Sequence, residues 1–113
     1  MNDGTVIVIN GDGMGRAEPA LAHKLVRTYL NMLDLDDRLP AAICFYAAGV
    51  KLTVPGSPVL EELGSLAGKG VALIVCTTCL NHYGICDDLA VGNAAGMKEI
   101  VDAQAAAAKV ITL

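Results

Sequence analysis

Four short apolar runs, separated by segments of helical length, constrain this chain more than any other feature. They span residues 5–10, 41–46, 71–76 and 109–113. Runs this short, rich in Val and Ile and without polar alternation, read as strands buried on both faces. The segment 16–33 between the first two carries Leu21, Leu25, Tyr29 and Leu33 at a spacing of four, with Val26 and Leu30 beside them. His23, Arg27 and Asn31 line another face, so the segment is expected to be an amphipathic helix. Pro19 fits that helix only in its first turn, where a missing N–H costs nothing. Residues 34–40 form a charged connection. Ser57 is expected to cap a second helix with Pro58 at its first position and Glu61 and Glu62 at the positive end of its dipole. Leu60, Leu63 and Leu66 would face the sheet, and Gly68 and Gly70 end the element. One helical turn is expected over 80–83 and a brief strand at Leu89, Ala90 and Val91. A last helix is expected over 97–107, with Met97, Ile100, Val101 and Gln104 on one side. This alternation implies a single three-layer α/β domain over residues 1–113 with a mainly parallel sheet.

Composition narrows the partners. The chain is 54% hydrophobic and 18% charged, which excludes disorder. With three Tyr and one Phe, the core has to be built from Ala, Val, Leu and Ile. A small domain this apolar is also expected to bury surface against copies of itself, as a homo-oligomer. The net charge of -4 and pI near 4.9 argue against nucleic acid, and the Lys and Arg residues are scattered. No stretch approaches the roughly 20 apolar residues of a membrane span. Met1, Asn2, Asp3 and Gly4 lack the basic start of a signal peptide, so the protein is expected to be cytoplasmic. In that compartment Cys44, Cys76, Cys79 and Cys86 are expected to be reduced, serving chemistry or metal binding rather than structural disulfides.

The chemistry concentrates where the third run stops, at Cys76, Thr77, Thr78, Cys79, Leu80, Asn81, His82, Tyr83 and Gly84. Cys79 would lie in the turn beyond the carboxyl end of a strand, where open α/β sheets place their ligands. A helix beginning at Leu80 would present free backbone N–H groups to Cys79 and favour its thiolate, the nucleophilic form. His82 and Lys51 are candidate cationic neighbours, whereas Cys76 also fits as a small hydrophobe at a strand end. Cys76, Cys79, His82 and Cys86 have the atom types of a zinc site, but ligands packed into eleven residues make an awkward tetrahedron. A thioredoxin-like reading of Cys76 and Cys79 is weakened because Pro19, Pro40, Pro55 and Pro58 all precede them. Gly11, Gly13 and Gly15 miss the spacing of a dinucleotide loop, and Asp12 among them disfavours a phosphate. They read as a tight strand-to-helix turn. His23 is expected to be solvated beside Lys24 and Arg27, and Asp87 and Asp88 to form a surface turn.

Gly49-Val50-Lys51-Leu52-Thr53, Lys69-Gly70-Val71, the thiol segment from Cys76 to Gly84, and Leu89-Ala90-Val91-Gly92 together resemble the DsrE-like sulfurtransferase family. Met14-Gly15-Arg16 is similar to that family's first loop, so the resemblance runs through nearly the whole chain. It is strongest to the YedF-like branch, in which a DsrE-like domain follows a TusA-like domain. The resemblance implies a flavodoxin-like fold and sulfur transfer, with Cys79 as nucleophile and persulfide carrier and Cys76 as a second thiol. Lys51, Asn81 and His82 are candidates to stabilise the charged sulfur. No metal or organic cofactor is implied. The implied partners are a TusA-like donor or acceptor protein, or a small sulfane-sulfur compound, and selenium metabolism is an associated context. Two departures stand out: no TusA-like domain is present here, and Thr77 replaces a common Gly. Cys86 is additional, either a resolving thiol or incidental. Two other classes stay open, a non-catalytic assembly subunit and a thiol–disulfide oxidoreductase.

Overall fold

The computed structural model describes residues 4–113, so the reading of Met1, Asn2 and Asp3 lies outside the described residues. Each of the four apolar runs forms a strand: β1 (Thr5–Ile9), β2 (Ala42–Phe45), β3 (Ala72–Cys76) and, at the end of the chain, β5 (Lys109–Thr112). A fifth, β4 (Asn93–Ala95), completes one sheet in the order β4-β3-β2-β1-β5, with every neighbouring pair parallel. The helices are α1 (Pro19–Leu35), α2 (Leu60–Gly68), α3 (Thr77–His82) and α4 (Met97–Ala106), with 3-10 stretches at Ala47–Thr53 and Cys86–Asp88.

The strand order explains the layers. From β1 to β4 the chain moves one place along the sheet at each crossover, and α4 then carries it back to β5 beside β1. Right-handed parallel crossovers therefore put the forward helices on one face and α4 on the other. The result is the expected three-layer α/β arrangement, with a sheet that is wholly parallel. Val6 to Ile9, Ala42 to Phe45 and the Leu73, Val75 and Cys76 positions of β3 are buried, as two covered faces require. Ile9, Phe45 and Val75 are in register, which brings the carboxyl ends of the three central strands level.

Local boundaries depart from the sequence pattern for identifiable reasons. α1 begins at Pro19 rather than Arg16, because the glycine loop folds back on it and Met14 donates its N–H to the Ala22 carbonyl at 3.0 Å. A Cβ on Gly13 would meet Ala22 Cβ at 2.6 Å, so only glycine permits this return. The buried stripe of α1 is Ala22, Val26 and Leu30, while Leu21 and Leu25, expected to face inward, are each 41% exposed. α2 starts at Leu60 rather than Pro58, and Ser57 Oγ instead accepts the Val59 N–H at 3.1 Å. The short strand expected at Leu89, Ala90 and Val91 falls at β4 instead. Ala90 and Val91 donate their N–H groups to the Thr53 carbonyl at 2.8 and 3.3 Å, and so are taken from the ladder. Ile100 of α4 is buried as expected, but Met97 and Val101 face outward. Lys69 and Ser65 join α2 to the end of α1 through Asp34, at 2.9 Å each, and hold its carboxyl below the usual range.

Candidate functional site

β3 passes into α3 without a loop. Cys76 is both the last residue of the strand and the N-cap of the helix, and the Thr77 hydroxyl donates to the Ala95 carbonyl of β4 at 3.1 Å. The residue that departs from the common Gly thus ties the helix start to the sheet edge. Cys79 lies in the first turn of α3, partly exposed, and not in a turn ahead of a helix at Leu80. The N–H that reaches its sulfur comes from another segment, since Ala47 donates to Cys79 Sγ at 3.1 Å.

Ala47 presents that N–H because of how the chain leaves β2. Its φ is 50°, a left-handed conformation uncommon for a residue with a side chain. Tyr46 donates to the Ile9 carbonyl at 3.2 Å, and Gly49 donates back to Tyr46 at 3.0 Å. Gly49 lies so close to the end of β1 that any Cβ there would collide with the Ile9 carbonyl oxygen. The 3-10 stretch is therefore clamped against β1, and the clamp turns the Ala47 amide toward the thiol. Sequence reasoning did not single out Ala47; the only signal near it is Gly49, two residues on.

The thiol's acidity departs from the expected direction. Burial pushes the Cys79 thiol up, its hydrogen bond with the Cys76 thiol adds to this, and the Ala47 N–H works the other way without reversing it. Cys76 itself is 1% exposed. All four cysteines are unbridged. Cys44 is buried in β2 and its acidity is lowered by that burial, as befits a core residue. Cys86 is partly buried in its 3-10 turn and packs against the core, and Asp87 and Asp88 beside it are exposed.

The other candidates gather beside the thiols rather than on the sulfur. Lys51 Nζ lies 4.4 Å from the centroid of the Tyr83 ring, a cation–π contact, and the His82 ring meets Tyr83 edge-on at 5.0 Å. Tyr83 in turn donates its N–H to the Cys79 carbonyl at 3.2 Å. Asn81 is exposed, and its carbonyl accepts the Gly84 N–H at 3.1 Å. A cleft of 430 Å³ opens here, lined by Asp12, His23, Lys51, Ser57, Tyr83 and Ile85 among others. His23 is not simply solvated, because its Nε2 lies 3.1 Å from Oδ1 of Asp12 in the glycine loop. A groove of similar volume, 440 Å³, lies at the other end of the sheet between β5 and the end of α1, and no cysteine lines either cavity. Among the described residues no three His, Cys, Asp or Glu side chains converge as a metal-binding group.

Comparison with known proteins agrees with this architecture. The sequence profile of the DsrE/DsrF-like family matches residues 3–113. The YchN protein from E. coli has a similar structure, with a TM-score of 0.72 and 20% identity over 96% of this chain and 97% of that one. A protein of unknown function, MTH1491 from Methanobacterium thermoautotrophicum, aligns with a TM-score of 0.69 and 24% identity, over 96% and 97% of the two chains. BT1422 from Bacteroides thetaiotaomicron, also of unknown function, gives 0.67 and 12% over 97% and 95%. A search of curated proteins finds no match for the chain. At these identities the three structures establish the fold, a DsrE-like flavodoxin-like sheet.

Proposed function

The chain belongs to the DsrE/DsrF-like family, which is linked to sulfur relay, and from that premise we propose that it carries sulfane sulfur as a persulfide on Cys79. The observation that carries this reading is the Ala47 N–H directed at Cys79 Sγ at 3.1 Å. A hydrogen bond to a charged acceptor contributes roughly 1.5–3 kcal/mol, about twice one to a neutral group. The Ala47 N–H therefore favours the Cys79 thiolate, the form that attacks, against the burial that opposes its ionisation. Loading is thiolate attack on a sulfane sulfur, which breaks that sulfur's bond to the rest of the donor and releases the remainder with the electron pair. Unloading is attack by an acceptor thiol on the outer persulfide sulfur, which regenerates Cys79.

On this reading the protein is a cytoplasmic single DsrE-like domain, residues 1–113, akin to the YedF-like branch. Its partner is a TusA-like donor or acceptor or a small sulfane-sulfur compound. Lys51, held over Tyr83, supplies positive charge to an anionic donor in the cleft, and the exposed His82 and Asn81 follow Cys79 in α3 as candidates to meet the charged sulfur. The selenium connection rests on the resemblance to YedF-like proteins alone. Homo-oligomerisation would cover the outer face of α1, where Leu21, Leu25, Met32 and Leu35 are exposed.

Intact-mass spectrometry after exposure to a sulfane-sulfur donor tests the carrier role. The native chain is expected to gain one thiol-reducible sulfur atom, and Cys79→Ser to gain none. Equal gain by Cys79→Ser would remove the assignment, and no gain by either would favour an assembly subunit. The nearness of Cys76 and Cys79, three residues apart at the start of α3, favours one second reading, thiol–disulfide exchange. That reading predicts reductase activity with no sulfur gain.

A further inference from the structure

We propose that Cys76 is an internal resolving thiol, which lets this chain release its sulfur as hydrosulfide when no acceptor is present. The inference rests on Cys79 forming a persulfide and adds an activity to that role. Three observations support it. Cys76 lies near enough to Cys79 to hold back the ionisation of its thiol. Cys76 is 1% exposed, so an external acceptor reaches the partly exposed Cys79 and not Cys76. The N-cap position of Cys76, still extended with ψ 117°, and the first-turn position of Cys79 put the two residues three apart across the helix start. A disulfide takes β carbons about 3.5–4.5 Å apart, so the bond forms by adjustment at that strand-to-helix junction.

The step balances without an external oxidant. The Cys76 sulfur attacks the inner, Cys79 sulfur of the persulfide. The Cys76–Cys79 S–S bond forms as the bond to the outer sulfur breaks, and that sulfur departs with the Cys76 proton as hydrosulfide. The outer sulfane sulfur is reduced and the two thiols are oxidised to a disulfide. A low-molecular-weight thiol attacks the Cys79 sulfur of that disulfide and frees Cys76, and a second thiol attacks the added sulfur of the resulting mixed disulfide, which frees Cys79 and leaves the two small thiols joined as a disulfide. An acceptor thiol that captures the outer sulfur first gives transfer instead, so the same persulfide has two exits. Burial of Cys76 keeps a partner from being joined to it as a mixed disulfide.

The test is a single turnover. Fully reduced protein is loaded with inorganic polysulfide, desalted without oxygen, and followed with no added thiol. The wild type is expected to lose its sulfur with one hydrosulfide released per persulfide, becoming two hydrogens lighter than the reduced protein. Peptide mapping should place the new bond between Cys76 and Cys79. Cys76→Ser and Cys76→Ala should still reach one sulfur per chain, at whatever rate, yet keep the persulfide at least about tenfold longer, since the positioned intramolecular nucleophile is gone. Cys86→Ser should behave as wild type. Two replacements at Cys76, each checked by its melting curve, separate lost chemistry from lost folding. Wild type that keeps its persulfide as long as both Cys76 variants would overturn the resolving role while leaving the carrier role standing. A wild type and variants that never gain sulfur would overturn both.

Discussion

A cysteine sulfur that accepts one backbone N–H while leaning on a second thiol is under opposed influences, and for Cys79 burial is the larger. Its thiol titrates above the ordinary value of about 8.5, first because of burial and then because of Cys76. At neutral pH the thiol is therefore mostly protonated. Its reaction with iodoacetamide should climb roughly tenfold per pH unit through and beyond that value before levelling. Cys76→Ala removes the second cause and should bring the midpoint down toward the ordinary value, as read from alkylation rates across pH. A Cys79 midpoint below that of free cysteine would contradict the balance described. The position of Cys79 was legible in the sequence, because an apolar run that stops at two thiols marks a strand end. The direction of its acidity was not. It is set by burial and by Cys76, against an opposing N–H from Ala47, and all three follow from tertiary packing that no local pattern announces.

At the level of elements, the backbone contact between Gly49 and Ile9 is the most exacting in the fold. Gly49→Ala would drive a Cβ into the Ile9 carbonyl, and the stretch Ala47–Thr53 would have to lift from β1. The expected cost is roughly 2–3 kcal/mol, measured by urea unfolding, in the range of overpacked cores. The same variant should raise the Cys79 midpoint further, because the Ala47 N–H moves off the sulfur. Unchanged stability would mean that the clamp yields without cost. The strands and long helices could be read in advance because Val- and Ile-rich runs and a helical period survive any context. β4 could not. Its residues Asn93, Ala94 and Ala95 have little strand preference and are held by pairing with Ile74, Val75 and Cys76. α1 was read as a helix but turned by one residue. Both Ala22, Val26, Leu30 and Leu21, Leu25 are helical stripes, and only the sheet decides which is buried.

Across the whole molecule, the unused stripe of α1 is the largest apolar commitment left outside. Leu21, Leu25, Thr28, Met32 and Leu35 alternate spacings of four and three, the 3.5-residue period of helices that pack against one another. Light scattering behind size exclusion should give a mass that is a multiple of the 11.6 kDa chain. Leu25→Asp combined with Met32→Asp should return it to the mass of one chain. A single-chain mass for the unaltered protein would reject self-association at this face. No helix among the described residues is long and apolar enough to cross a membrane, so that route does not account for the exposed stripe. The hydrogen bond from Ala47 to Cys79 joins the connection after β2 to the one after β3, across neighbouring crossovers. In a nitrogen–proton correlation spectrum, the Ala47 resonance is consequently a built-in indicator of the sulfur. It should shift when the sulfur loses its proton and again when a second sulfur atom is attached, reporting the cargo with no label on the thiol.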